Sequence, residues 1–171
     1  EASKNITIQF GHGKHIIGDG YRSLLFSDNS FNYPYLRIQS NYGKFQYNNL
    51  YAEFQNFNSN FSSIEDYDYM GFSKKYMSVN YLSYYLNNKF SIGLYESIIW
   101  STDRSLSNDG FIFDFLNPLI ISNTTKYSFN SSDNVIIGLN LKYRLNNKSI
   151  AYGQIVIDEF NLNEIKKDNG Y

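Results

Sequence analysis

The chain has 171 residues, with 15 Lys plus Arg against 16 Asp plus Glu and a net charge of -1, so it is about one domain long and has no basic excess for neutralising nucleic-acid phosphates. It has no cysteine, which excludes disulfide scaffolds, thiolate metal sites and cysteine nucleophiles. Aromatic residues make up 19 %, with 17 Tyr and 14 Phe, and only 18 % of residues are charged, which argues against both disorder and an ordinary helical protein.

Ile6, Ile8 and Phe10 alternate with Thr7 and Gln9, and a period of two predicts a strand over 4–10. A long polar loop over 11–33 follows, opened by Gly11, Gly13, Gly18 and Gly20. That glycine density suits tight turning or close backbone approach, as in a loop folded into a barrel mouth. Leu36 and Ile38 alternate with Arg37 and Gln39, predicting a strand over 34–42. After a tight turn at Gly43, Leu50, Ala52 and Phe54 alternate with Asn49, Tyr51, Glu53 and Gln55 in a strand over 44–57. A long polar connection over 58–74 leads to strands at 75–86 and 90–101, joined tightly at Asn87-Asn88-Lys89. Another long connection, 102–118, precedes a weaker strand over 119–129. Val135, Ile137, Leu139, Leu141 and Tyr143 alternate with Ile136, Gly138, Asn140, Lys142 and Arg144, predicting a strand over 133–145. Asn146-Asn147-Lys148 turns tightly into a last strand over 149–160. Asn suits such turns because it tolerates positive φ.

These strands are longer than the usual mode of about 5–6 residues, and about 9–11 tilted residues cross a bilayer. Tight turns at one end and long loops at the other are the layout of outer-membrane barrels, whereas compact soluble domains have shorter connections. The predicted fold is all-β: a single domain over 1–171, an antiparallel up-and-down meander that forms part of an outer-membrane β-barrel, or a small one, with the 11–33 loop inserted. Phe45, Tyr47, Tyr81, Tyr84, Tyr85, Phe90 and Trp100 fall near strand ends, as interfacial aromatic girdles do; aromatics also simply fit pleated surfaces. Two carboxylates break the pattern: Glu96 shares parity with Ile92 and Leu94, and Glu159 with Ile155 and Ile157. A carboxylate facing lipid is costly, so either a bulge re-aims each one or the apolar band ends before it. No run of about 18 apolar residues predicts a transmembrane helix. Glu1-Ala2-Ser3-Lys4 lacks the apolar core of a signal peptide, so either a signal has been removed or the chain starts inside a longer protein.

Few motifs carry chemistry. The glycine-rich stretch fits neither a P-loop nor a dinucleotide fingerprint. His12, His15 and Asp19 could be read as metal ligands, but two histidines three apart specify no third ligand, and the competing reading is a hydrogen-bonded loop histidine. Asp158 or Glu159 with Glu53 or Glu96 could supply a glycosidase carboxylate pair, a chemistry that depends on their separation. In a barrel, inward carboxylates instead pair with inward Arg37, Lys142 and Arg144. No Gly-x-Ser-x-Gly elbow occurs. Five Asn-x-Ser/Thr sequons start at Asn5, Asn60, Asn123, Asn130 and Asn147, as expected by chance in so Asn-rich a chain.

Several blocks, in order, resemble a known family. They are Gly13 to Asn29, GKHIIGDGYRSLLFSDN, followed by Tyr33-Pro34-Tyr35-Leu36-Arg37-Ile38; Tyr51-Ala52-Glu53-Phe54-Gln55; Ile92-Gly93-Leu94-Tyr95-Glu96; Leu116-Asn117-Pro118; Ser132-Asp133-Asn134 with Gly138-Leu139-Asn140-Leu141; and Tyr152-Gly153-Gln154 with Asp158-Glu159-Phe160. Together they resemble the capsule-assembly Wzi family, in the Bacteroidetes branch that includes the gliding-motility protein RemB. An Arg-Pro pair expected near Thr124-Thr125 is absent. The resemblance implies a many-stranded outer-membrane barrel, of which this chain would be a middle portion. It implies a surface role in capsular polysaccharide binding and assembly, or in gliding motility. It brings no catalytic residue and no cofactor. The implied partners are outer-membrane lipid and either capsular polysaccharide or envelope motility proteins, with no nucleic acid. The candidate glycan-binding residues lie in the long loop: His15, Asp19, Tyr21, Arg22, Asp28 and Asn29. The competing reading is that these side chains knit the loop into the barrel interior. The alternative functions are a diffusion porin and a soluble carbohydrate-active β-protein.

Overall fold

A computed structural model describes residues 3–56, 73–101, 116–122 and 134–158. Seven strands form one sheet: β1 (Ile6–Gly13), β2 (Tyr33–Tyr42), β3 (Phe45–Asn56), β4 (Ser73–Tyr85), β5 (Phe90–Ser101), β6 (Asn134–Arg144) and β7 (Ile150–Asp158). They lie side by side in chain order, each antiparallel to the next. The fold is therefore all-β and up-and-down, with β1 and β7 at the two edges of the sheet. The connection expected at 58–74 lies outside the described residues except at its end, where β4 has already begun; that at 102–118 lies outside except for residues 116–118.

Three local expectations need correction. β1 continues to Gly13 rather than stopping at 10. Gly11 pairs with Tyr35, and a side chain at Gly11 would crowd the Tyr35 ring. This glycine therefore serves close packing inside a strand, and the loop begins at Lys14. Residues 119–122 form a turn, not a strand, with Ile121 at φ 70°; the rest of the 119–129 segment lies outside the described residues. The tight turns use Asn through hydrogen bonds rather than positive φ. Asn87 Oδ1 accepts from the amides of Lys89 (2.8 Å) and Phe90 (2.9 Å), and Asn146 Oδ1 accepts from the Lys148 amide at 2.8 Å. Such Asx turns close a hairpin without a strained backbone. Within the three tight hairpin turns, Gly43 alone takes positive φ, at 56°, as the first position of a two-residue hairpin demands.

Residues directly opposite across an antiparallel ladder share a face. The first face carries Arg37, Leu50, Ala52, Met77, Val79, Tyr81, Tyr95 and Asn140. Its apolar members form the main core with Tyr33 and with Leu25 of the loop. Two glycines on this face make room for larger neighbours: Tyr81 lies across Gly93, and Leu25 fills the space over Gly138. The second face carries Ile8, Ile38, Asn49, Asn80, Glu96, Ile137 and Ile157 in one continuous cross-strand row. Ile98, Trp100 and Val135 form a smaller buried cluster on it, with Tyr76 packed alongside.

Glu96 follows neither expected solution. Its pairing is regular, between Asn80 and Ile137, so no bulge turns it away. It stays on the second face, yet it is buried. Asn80 donates to its carboxylate at 3.2 Å, and Asn49 donates to Asn80 at 2.7 Å. The 116–122 segment lies over this row. Tyr51 donates to the Leu116 carbonyl at 2.9 Å, Tyr47 to that of Pro118, and Asn80 to that of Asn117 at 3.4 Å. The carboxyl group thus has an amide hydrogen-bond partner, as a buried polar group requires. Glu159 lies outside the described residues.

The packing of Leu25 over Gly138 predicts the effect of filling that space. Gly138→Val should destabilise the fold by about 1–3 kcal/mol through overpacking. Leu25→Ala should then cost less in the Gly138→Val chain than in the wild type, as read by denaturant unfolding. Equal costs in the two backgrounds would contradict this packing.

Candidate functional site

The most elaborate polar arrangement lies where the 14–32 loop meets the first face of the sheet. The loop is closed on itself by Ile17, whose amide donates to the Phe26 carbonyl at 3.0 Å. Ser23 sits inside that closure, donating to the Ile17 carbonyl and accepting from the Leu25 amide at 3.2 Å. Gly18 takes φ 106° at the tightest approach, where a side chain would collide with Gln154 and Ser23.

Asn140, on β6, holds the loop to the sheet and is buried. Its Nδ2 donates to Asp19 Oδ2 at 2.7 Å, and its Oδ1 accepts from the Asp19 amide at 3.1 Å and from Gln154 Nε2 at 2.9 Å. Gln154, on β7, also donates to Ser23 Oγ at 3.1 Å and accepts from the Leu24 amide at 2.9 Å. Lys142 Nζ lies 2.5 Å from Asp19 Oδ1. One carboxylate therefore receives a cation and an amide, both from β6. These charge-assisted bonds are stronger than neutral ones.

His15 lies at the start of the loop. Its Nδ1 is 3.2 Å from the Tyr33 hydroxyl, and its ring meets that of Tyr35 edge-on at 4.2 Å. Burial, together with the nearby Arg37 charge, pushes its pKa below the usual imidazole value. Arg37 itself is held from β2. Its Nε and Nη2 donate to Asn48 Oδ1 at 3.1 and 2.9 Å, and its Nη1 donates to Gln9 Oε1 at 3.5 Å. Between these groups lies a cavity of about 200 Å³, bounded by the loop on one side and β2 to β4 on the other.

Of the six loop residues expected to bind glycan, only His15 and Asp19 line the cavity. Tyr21, Arg22, Asp28 and Asn29 are exposed; the Tyr21 backbone amide reaches the Tyr152 hydroxyl at 3.4 Å. Asp19 knits the loop to the sheet, which was the competing reading of these side chains. Its partner Lys142 was expected among the inward cations. Arg37 also lies on the loop-bearing face. Asn48 had only strand parity as a signal, whereas Ser23, Asn140 and Gln154 fell in the blocks that carry the family resemblance without being singled out as site residues.

The other constellations do not assemble. His12 is exposed in β1, opposite Pro34, and on the second face by its parity; Asp19 is engaged by Lys142, so His12, His15 and Asp19 do not converge. No group of three metal-ligating side chains occurs among the described residues. Glu53 pairs with Lys74 at 2.8 Å. Glu53 and Glu96 lie on the second face and Asp158 on the first, so neither faces Asp158 across a shared site. No family model, curated protein or solved structure matches this chain.

The depressed pKa of His15 makes loop docking pH-sensitive. Above the undocked pKa of about 6.5, both states are neutral and docking is unaffected. As pH falls below that value, the undocked loop takes up the proton first, and docking weakens down to the docked pKa. Exchange of the Ile17 amide, corrected for intrinsic rate, should therefore be faster relative to the strands at pH 5 than at pH 7.5. His15→Gln should remove that difference; a difference that persists would contradict the assignment.

Proposed function

We propose that the chain forms part of an outer-membrane β-barrel of the cell surface, acting without catalysis in capsular polysaccharide binding or assembly, or in gliding motility. The observation that carries the membrane part is the second face of the sheet. Phe10 is 84 % exposed, Ile155 60 %, Ile8 51 % and Ile157 47 %, and all four lie on that face. Leu36, Phe45, Leu94 and Tyr143 are also exposed there. Exposed apolar side chains gathered on one face, here on the edge strands and towards the tight turns, mark a membrane or protein contact.

Aromatic placement supports the same reading. Towards the tight turns, the second face carries Tyr42, Phe45, Tyr84, Phe90 and Tyr143, with Phe45 stacked near Tyr84 at 4.7 Å. Towards the long loops Tyr76 and Trp100 lie 5.8 Å apart, within the buried cluster of that face rather than in an exposed row. Tyr81 and Tyr85 belong to the first face and do not join these rows. Tyr76 and Tyr84 are eight positions apart in β4, about 27 Å along the strand and about 20 Å along the normal at a tilt of about 40°. An outer-membrane barrel has an apolar band about 25 Å tall between such girdles. Pairing β1 directly with β7 would be parallel, because six antiparallel steps separate them and the two strands run in the same direction. Closure as an antiparallel barrel therefore calls for further strands, in keeping with a larger barrel of the Wzi kind. The docked loop opposes the porin alternative, since it fills the face that would line an open lumen.

Ile155→Arg separates the membrane and soluble readings. At a lipid-facing midplane position it should cost about 2–4 kcal/mol and reduce recovery of assembled protein in the membrane fraction. On an exposed soluble surface the change would stay within about 0.5 kcal/mol, and that result, with the wild type in the soluble fraction, would overturn the proposal. Deleting the gene tests the cellular role: loss of cell-attached polysaccharide is expected for the capsule role, and loss of gliding for the motility role. Both traits intact would contradict it.

A further inference from the structure

The cavity beneath the loop holds a cation with no ionic partner among the described residues. Arg37 lines it, and among the described residues no carboxylate lies within ion-pair distance of the guanidinium; the two ion pairs found there are Lys74 with Glu53 and Lys142 with Asp19. Asp19 lines the same cavity, but Lys142 and Asn140 already occupy its carboxylate. Arg37 is oriented by amide oxygens alone. Its three bonds, two to Asn48 and a long one to Gln9, use three of the five guanidinium N–H groups. Amides fix its direction without cancelling its charge. A guanidinium held in this way is preorganised for bidentate recognition of a planar anion.

The rest of the lining narrows the ligand. Gln46, Asn48 and Ser83 contribute amides and a hydroxyl, while Tyr81 and Tyr85 add two tyrosines to the lining. About 200 Å³ is the space of several waters at about 30 Å³ each, and lies below the usual range of about 300–1,000 Å³ for drug-sized ligands. It suits one small hydroxylated ring rather than an extended chain. The geometry points to a binding site for a carboxylate carried on a hydroxylated ring, the chemistry of a hexuronic acid, with Arg37 taking the carboxylate and Gln46, Asn48 and Ser83 meeting the hydroxyls. The site lies on the first face and stands whether or not lipid covers the second.

The test needs no variant at first. The full chain, folded in detergent micelles, is titrated with D-glucuronate, with its neutral methyl ester, and with D-glucose, and binding is followed by saturation-transfer NMR. Saturable binding of glucuronate at least tenfold tighter than of the ester or glucose is expected. Equal binding of the acid and the ester, or no saturable binding of the acid, would overturn the proposal. A glucuronate dimer distinguishes the source: binding equal to the monomer indicates a polymer end, and binding of the monomer alone a free acid. Arg37→Lys keeps a cation but loses the fork, so it should weaken glucuronate while retaining its preference over the ester. Arg37→Gln, in chains with unchanged far-UV circular dichroism, should abolish that preference. A preference retained by Arg37→Gln would contradict the role given to Arg37.

Discussion

Side chains in a pleated strand alternate faces, so a ladder that keeps its register keeps every cross-strand row on one side. The seven strands hold that register from Ile8 on β1 to Ile157 on β7. A slip of one residue anywhere would send the isoleucines to the loop side and Arg37, Asn140 and Gln154 to the other. The division of the molecule into a loop-bearing face and a face that exposes apolar side chains on its edge strands and towards the tight turns depends on this single constraint. Asn-based turns reinforce it at two of the hairpins, because their side chains bond the backbone that reverses direction.

On the first face, polar side chains near the tight turns grade into an apolar core near the long loops. The 14–32 loop matches both zones. Ile17, Leu25 and Phe26 pack on the apolar part, while Asp19 and Ser23 reach the polar part through Asn140, Lys142 and Gln154. Asn140 is costly to leave unsatisfied once buried, so its bonds make loop docking specific rather than merely favourable. The cavity arises because the loop meets β6 and β7 closely but leaves space over β2 to β4, where Arg37 stands. On the second face, the buried row of Asn49, Asn80 and Glu96 is met by the 116–122 backbone, whose carbonyls accept from Tyr47, Tyr51 and Asn80.

Much of this sheet was legible in the sequence because period-two alternation is a local signal. The strand from Val135 to Tyr143 declared both its faces, and Gly43 and the two Asn-Asn-Lys turns marked the hairpins. The extension of β1 through Gly11 and Gly13 was hidden, because glycine reads as a turn until the Tyr35 ring over it is seen. Within the site, Asp19 was visible as an acid in a polar loop and Lys142 as an inward cation, but their pairing spans more than a hundred residues and leaves no local trace. Arg37 was visible as an inward residue of β2; the cavity around it depends on where the loop lands. Tyr21, Arg22, Asp28 and Asn29 looked equivalent to His15 and Asp19 by composition, and only the loop's path separates them.

The central claim is that lipid contacts one face of the sheet and not the other. The chain has no native cysteine, so single cysteines can be placed at positions 154, 155, 156 and 157 of β7 and nitroxide-labelled in bilayer-reconstituted protein. Accessibility to oxygen, which concentrates in hydrocarbon, should alternate along the strand, high at 155 and 157 and low at 154 and 156. Uniform accessibility to a water-soluble relaxant, with no oxygen maximum at 155 and 157, would contradict the account.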